Sequence, residues 1–294
     1  MIALLRAGAA LLVVYSYLVG LWLHQHGADP QPLAGIREWL NRPLRAGEDF
    51  GPFALMVLLL CTGWTTAAAR ATGRDLLRTA LPVLVAAPLA AAALAAGLDV
   101  WTYSPGAGLV PLAWVIGLQL VAALVGLDRR GWPVPAAVLC WIVLLVAFDV
   151  DGLGKPALFL TMVLVGHVAR RVADGVLPGW AGLTLGVGCF AAVALLDRTV
   201  DGLHQWWYPV AATYAVLVFL AAVAVPAPDW PVTTWLADRA EWLLVLSGVV
   251  GFAVLGLLHL RVPLSAAILC AVAATGLAAD AGHRLTRRLT RRTA

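Results

Sequence analysis

Long apolar runs, separated by short stretches that hold most of the arginines, constrain this chain more than any other feature. A helix of about 20 apolar residues matches the ~30 Å hydrocarbon core of a bilayer. Ten such runs can be read: 2–23, 51–69, 79–98, 107–127, 133–150, 154–169, 178–197, 206–226, 241–260 and 262–280. The last two are parted only around Arg261, Val262 and Pro263. Hydrophobic residues fill 62% of the 294 positions and charged ones 12%, a balance no soluble core of this size could hide. The expected fold is therefore all-α, a single polytopic bundle of about ten spans.

Arginine placement predicts the orientation. With the N-terminus in the cytoplasm, thirteen positive residues fall inside: Arg70, Arg74, Arg78, Arg129, Arg130, Arg170, Arg171, Arg239 and five in the tail. Six fall outside, and three of these (Arg37, Arg42, Arg45) share the long first loop with Asp29, Glu38, Glu48 and Asp49. The positive-inside rule then places both termini in the cytoplasm and makes the number of spans even. No cleavage site follows the first run, so that helix is expected to stay in the mature protein. Heavy use of Ala, Leu, Val, Gly and Arg suggests a bacterial source and its cytoplasmic membrane. The net charge of +4 lies in short inter-helix stretches and does not point to nucleic acid.

The first run carries a charge that a span should not have. Arg6 lies inside it, and an arginine there costs a few kcal/mol unless it faces the protein interior or a wet cavity. Eleven residues along a helix return to within ~20° of the same face, ~16 Å further on, which leads from Arg6 to Tyr17. Seven more residues reach His24.

The stretch RAGAALLVVYSYL, Arg6 to Leu18, resembles the first helix of the acyltransferase-3 family of polytopic membrane acyltransferases. That helix reads R-A-x-A-x-x-x-V-V-x-x-H-x-L, and Tyr17 stands here at the histidine position. A second similarity follows in EDFGPFALMVLLLCTGWTTAAAR, Glu48 to Arg70, which keeps the family's Asp-Phe-Gly at Asp49, Phe50 and Gly51, and its glycine at Gly63. Thr62 and Trp64 replace the usual Ser and Phe. The basic stretch Arg70, Arg74, Arg78 before Pro82 is similar to the family's R-x-x-P segment, one residue longer. The resemblance weakens beyond residue 84. Pro111 to Trp114 is a weak match to P-L-W-F-L. Near Arg239 the family's second histidine is absent, with Gly248 in its place, and so is its closing E-R-P.

The resemblance implies transfer of an acyl group, with acetyl from acetyl-CoA the first expectation, to a carbohydrate or lipid-linked hydroxyl outside. Such a reaction needs a base for the acceptor hydroxyl, donors for the oxyanion and a path for a cytosolic thioester. The implied catalytic set is Arg6, Tyr17 and His24. Tyrosine, with a pKa near ~10, is a poor base at neutral pH, so His24 or His26 would have to supply that role, or Tyr17 would have to be ionised by a nearby arginine. Arg70, Arg74 and Arg78 recur every four residues, forming one stripe suited to the phosphates of acyl-CoA or equally to anionic lipid head groups. Without the family's histidine, a non-catalytic membrane partner or regulator in envelope-glycan assembly has comparable weight. A transporter using Arg6 as an internal charge comes third, since no inverted repeat supports it.

Other features take simpler readings. Cys61, Cys140, Cys189 and Cys270 are scattered, with neither a disulfide framework nor metal-ligand spacing, and are read as packing residues. Asp149-x-Asp151-Gly152 lacks the ligands of a calcium loop and is read as a turn. His167 and the Arg129-Arg130 and Arg170-Arg171 pairs are read as boundary residues. Asp197, Arg198, Asp201, His204, Trp206, Trp207 and Tyr208 gather at an outer boundary. A sugar-binding face is one reading of them, and an interfacial aromatic belt is preferred. Pro30, Pro32 and Pro43 argue against one continuous helix in the first loop, though GIREWLNR suits a short interfacial one. The tail RLTRRLTRR is read as an inner-leaflet anchor.

Overall fold

Among the described residues the apolar runs are helical and no strand occurs. A computed structural model describes residues 1–27, 31–44, 48–68, 73–98, 100, 117–118, 121–122, 124–126, 130–147, 153–199, 207–225 and 230–292. In chain order the helices are α1 (Ile2–Gln25), α2 (31–44, in the first loop), α3 (Gly51–Ala68), α4 (Gly73–Ala95), α5 (Pro133–Ala147) and α6 (Gly154–Ala173). There follow α7 (Gly179–Thr199), α8 (Trp207–Ala224), the short α9 (Pro231–Ala237), α10 (Ala240–Leu258) and α11 (Leu264–Arg292). Among the described residues seven helices are long and apolar enough to cross a membrane: α1, α3, α6, α7, α8, α10 and α11. Ala80–Ala95 and Pro133–Leu145 are shorter apolar stretches. Most of the expected span 107–127, and with it Pro111 to Trp114, lies outside the described residues.

Local chemistry sets the helix ends. After α6 the chain turns through Gly175 at φ 71°, and the Val176 N–H reaches back to the Arg171 carbonyl at 3.0 Å. A glycine in the left-handed region takes this form of stop without a Cβ penalty. The narrow division between the last two spans is real. Arg261 and Val262 both donate to the Leu258 carbonyl, at 2.8 and 3.0 Å, and Pro263 precedes the first residue of α11. The loop helix differs from expectation: residues 31–44 are continuously helical. Pro32 lies in its first turn, where its missing N–H costs nothing. Pro43 follows a π-helical stretch, Arg37–Asn41, in which the usual bonding ladder is already interrupted.

Side-chain pairs show which helix ends lie together. Arg6 is ion-paired with Glu241, Arg239 donates to Asp280 at 2.8 Å, and the Trp242 indole donates to Thr286 at 3.3 Å. The starts of α1 and α10 and the later turns of α11 therefore share one end. Arg170, 5.1 Å from the Trp64 ring, marks the matching ends of α3 and α6. The opposite end carries Ser16, Asp49, Phe159 and Tyr208.

The tightest crossing joins α3 and α6 through two glycines. A Cβ on Gly63 would stand 2.0 Å from the Val163 carbonyl oxygen, and one on Gly166 would stand 2.0 Å from the Leu60 oxygen. Small residues let backbones approach in this way, as expected where lipid offers no hydrophobic incentive for helix association. Cys61 and Cys189 are buried packing residues, whereas Cys140 and Cys270 are exposed on helix flanks; all four are free thiols.

Candidate functional site

The site begins with an irregularity in α1. Ser16–Leu21 is π-helical, and the Trp22 N–H bonds the Tyr17 carbonyl five residues back. Such a segment inserts a residue into the helix, turns the following face and loosens the local carbonyls, which is why π-segments recur at functional sites. The Gly20 carbonyl is used at once: it accepts from Arg37 Nη2 of the loop helix at 3.2 Å.

The Asp49-Phe50-Gly51 turn docks on this segment. Arg37 grips the Asp49 carboxylate with Nε at 3.0 and 3.2 Å and Nη2 at 2.8 Å, a forked geometry suited to carboxylate. Asp49 is only 4% exposed, so the pairing is what permits a charge there. Asp49 and Phe50 both hold positive φ, 48° and 60°, a conformation non-glycine residues avoid and which clusters at functional sites. Two glycines make the fit feasible. A Cβ on Gly20 would lie 2.6 Å from the Asp49 Cβ, and one on Gly51 would lie 2.5 Å from Ser16 Oγ.

Above this contact is a cavity of about 160 Å³. Ser16, Tyr17, Gly20, Leu21 and His24 of α1 line it, together with Asp49, Gly51, Pro52 and Leu55 from the turn and α3, Phe159 of α6, and Trp207 and Tyr208 of α8. An engineered cavity of ~150 Å³ accepts benzene, so this one has room for a single ring or a short acyl end, not for a nucleotide. Its chemistry is mixed: an imidazole, a phenol, a serine hydroxyl and a neutralised carboxylate face aromatic walls. Phe159 and Tyr208 meet edge to face at 6.1 Å.

Of the residues singled out by sequence, Tyr17 and His24 are brought to one cavity. Arg6 does not line it: its guanidinium engages Glu241 at the other end of the bundle. Arg70 lies outside the described residues, and Arg74 and Arg78 are described only as backbone positions in the first turns of α4. Asp201, His204 and Trp206 also lie outside them, as do Asp149 and Asp151. Trp207 and Tyr208, preferred as belt residues, face the cavity instead. Sequence reasoning missed Arg37 and Ser16. The only available signal for Arg37 was a basic residue 12 positions ahead of the Asp-Phe-Gly turn. No group of three or more metal-ligating side chains occurs among the described residues.

Compared with protein-family models, with curated proteins and with solved structures, the chain matches none.

Proposed function

We propose that the chain is a ten-span protein of the bacterial cytoplasmic membrane, with both termini inside, that transfers an acyl group from a cytosolic acyl-CoA to a hydroxyl outside. Acetyl-CoA is the first donor to test, and the acceptor class is a carbohydrate or lipid-linked hydroxyl. The observation that supports this reading is the convergence of His24, Tyr17 and the Arg37-braced Asp49 with Trp207 and Tyr208 around one ring-sized cavity. Aromatic faces and hydrogen-bonding groups together suit a sugar ring. His24 is the base, because an imidazole is the side chain here suited to taking and returning a proton near neutral pH, whereas a phenol holds its proton. It takes the proton of the acceptor hydroxyl as that oxygen bonds to the thioester carbonyl carbon. The tetrahedral intermediate then collapses, the C–S bond breaks, and the departing thiolate takes up the proton. Tyr17 donates to the oxyanion, and the Arg70, Arg74, Arg78 stripe holds the CoA phosphates.

A second reading, a non-catalytic partner in envelope-glycan assembly, is favoured by Tyr17 at the family's histidine position and by the engagement of Arg6 with Glu241. Acetyl-CoA binding to the protein in nanodiscs separates the two. Binding lost in Arg74→Ala/Arg78→Ala, with turnover lost in His24→Ala, supports transfer. No binding of any of several acyl-CoAs by the intact protein refutes it in favour of the partner reading.

A further inference from the structure

A second hollow lies on the same three helices, α1, α3 and α8, nearer the other end of the bundle. Its volume is about 560 Å³, and it runs between the first half of α1, Phe53 and Val57 of α3, and the last turns of α8. Every side chain lining it is apolar. Ala9, Val57 and Ala222 are buried in it, whereas Leu4, Val218 and Val225 are exposed, so the hollow is a groove open to the outside of the bundle. Gly8 leaves part of its wall bare: a Cβ there would meet nothing within 4 Å. Along a spanning helix that outside is hydrocarbon.

The extent of the groove selects its occupant. Met1 caps α1 and Val225 follows the last residue of α8, so one end lies at a span boundary. Leu12, the furthest lining residue on α1, is eleven positions on, about 16 Å along the axis. That is close to half of the ~30 Å core, the depth reached by the tails of one leaflet. The volume agrees. A cavity of ~150 Å³ takes the six carbons of benzene, so one of about 560 Å³ takes roughly twenty, a single long chain. A second copy of the protein fits poorly. Twelve residues line the groove, against about 20–30 on each side of a stable interface.

We propose that this groove seats one tail of a bilayer lipid from the leaflet at the Met1 end. Lipid offers no hydrophobic gain for such binding, and the preference comes from dispersion contacts with three helices along the length of the chain. Leu12 is one helical turn before Ser16, and Phe53 follows Pro52; Ser16 and Pro52 both line the ring-sized cavity. The seated tail therefore ends about one turn short of that cavity and holds α1 and α8 at their spacing below it.

The test needs no turnover, so it stands apart from the acyl-transfer reading. The full chain in detergent micelles is titrated with a long-chain phosphatidylcholine, and retained lipid is counted by native mass spectrometry. One tightly held lipid per chain is expected. Gly8→Leu and Ala221→Leu should each weaken retention at least about tenfold, while Gly186→Leu, on α7 with equally open space at its Cβ, keeps it. A photoactivatable group in the tail of the same lipid should label segments 1–12 and 218–225 of the intact protein, a readout that needs no variant to fold. Failure to retain the lipid, equal retention in the intact protein and both groove variants, or labelling that misses both segments overturns the proposal. A dimer in light scattering that Gly8→Leu dissolves also overturns it and assigns the groove to a second copy.

Discussion

Replacing Arg37 by leucine should open the cavity end of the molecule without unfolding the rest. The Asp49 side chain keeps 5% of its exposure and its described countercharge is Arg37, itself 18% exposed. Breaking a fully buried pair from one side costs about 3–5 kcal/mol. Two features lower that figure here. Water already reaches the guanidinium side, and release of the turn lets Asp49 and Phe50 leave positive φ, returning about 1 kcal/mol or more each. A net local cost of about 2 kcal/mol follows, which is roughly a 30-fold shift in the opening equilibrium. The assay is limited chymotrypsin cleavage after Trp39, exposed in the same loop helix, followed beside global thermal unfolding. Cleavage should rise by about that factor in Arg37→Leu. In Arg37→Leu/Asp49→Asn it should fall back most of the way, because the orphaned charge is gone. Unchanged cleavage in Arg37→Leu, or a double variant as open as Arg37→Leu, refutes the idea that this pair holds the turn on α1.

Three other outcomes can be checked. Gly63→Ala places a Cβ 2.0 Å from a carbonyl oxygen against the 3.4 Å where ordinary contact begins, so α3 and α6 must part by about 1.4 Å. Overpacking of this kind costs about 1–3 kcal/mol, and a lowered unfolding temperature in Gly63→Ala and Gly166→Ala, but not in Gly186→Ala, where a Cβ meets open space, checks it. Glu241→Leu should destabilise more than Arg6→Leu/Glu241→Leu, since the single change takes a countercharge from a mostly buried guanidinium; equal losses in unfolding experiments argue against the pairing. If the cavity transfers acyl groups, Tyr17→His should raise turnover and add a base with an ordinary imidazole pKa to its pH profile, and a flat response counts against Tyr17 as a reaction-facing residue.

Seven of the ten expected spans were legible because bilayer thickness writes itself into run length, and the brief break at Arg261–Pro263 marks a turn between two helices. The Asp-Phe-Gly turn and the first helix, about 30 residues apart in sequence, are pressed together through Gly20 and Gly51. What pattern reading could not supply was register and partnership. Nothing in SYLVGL announces a π-segment, yet it sets where Tyr17 and His24 point. The Arg6 countercharge lies 235 positions away, on a helix whose adjacency no local signal encodes. Trp207 and Tyr208 have the composition of a belt, and only the position of α8 beside α1 and α3 turns them inward.

The length of α11 has a mechanical consequence. Its 29 residues extend about 43 Å, some 13 Å more than the hydrocarbon core, and the surplus carries the arginine-rich tail. That surplus does not leave the bundle as a loose end, since Gly282 lies against the Trp242 ring and Thr286 is bonded to it. Further along the same rod, Thr275 touches the glycine of the π-segment in α10 that faces Leu18 of α1. The tail is thus a stiff lever with its fulcrum at Trp242. A tilt of the tail is therefore expected to be felt at Gly251 and Leu18, where α10 meets α1.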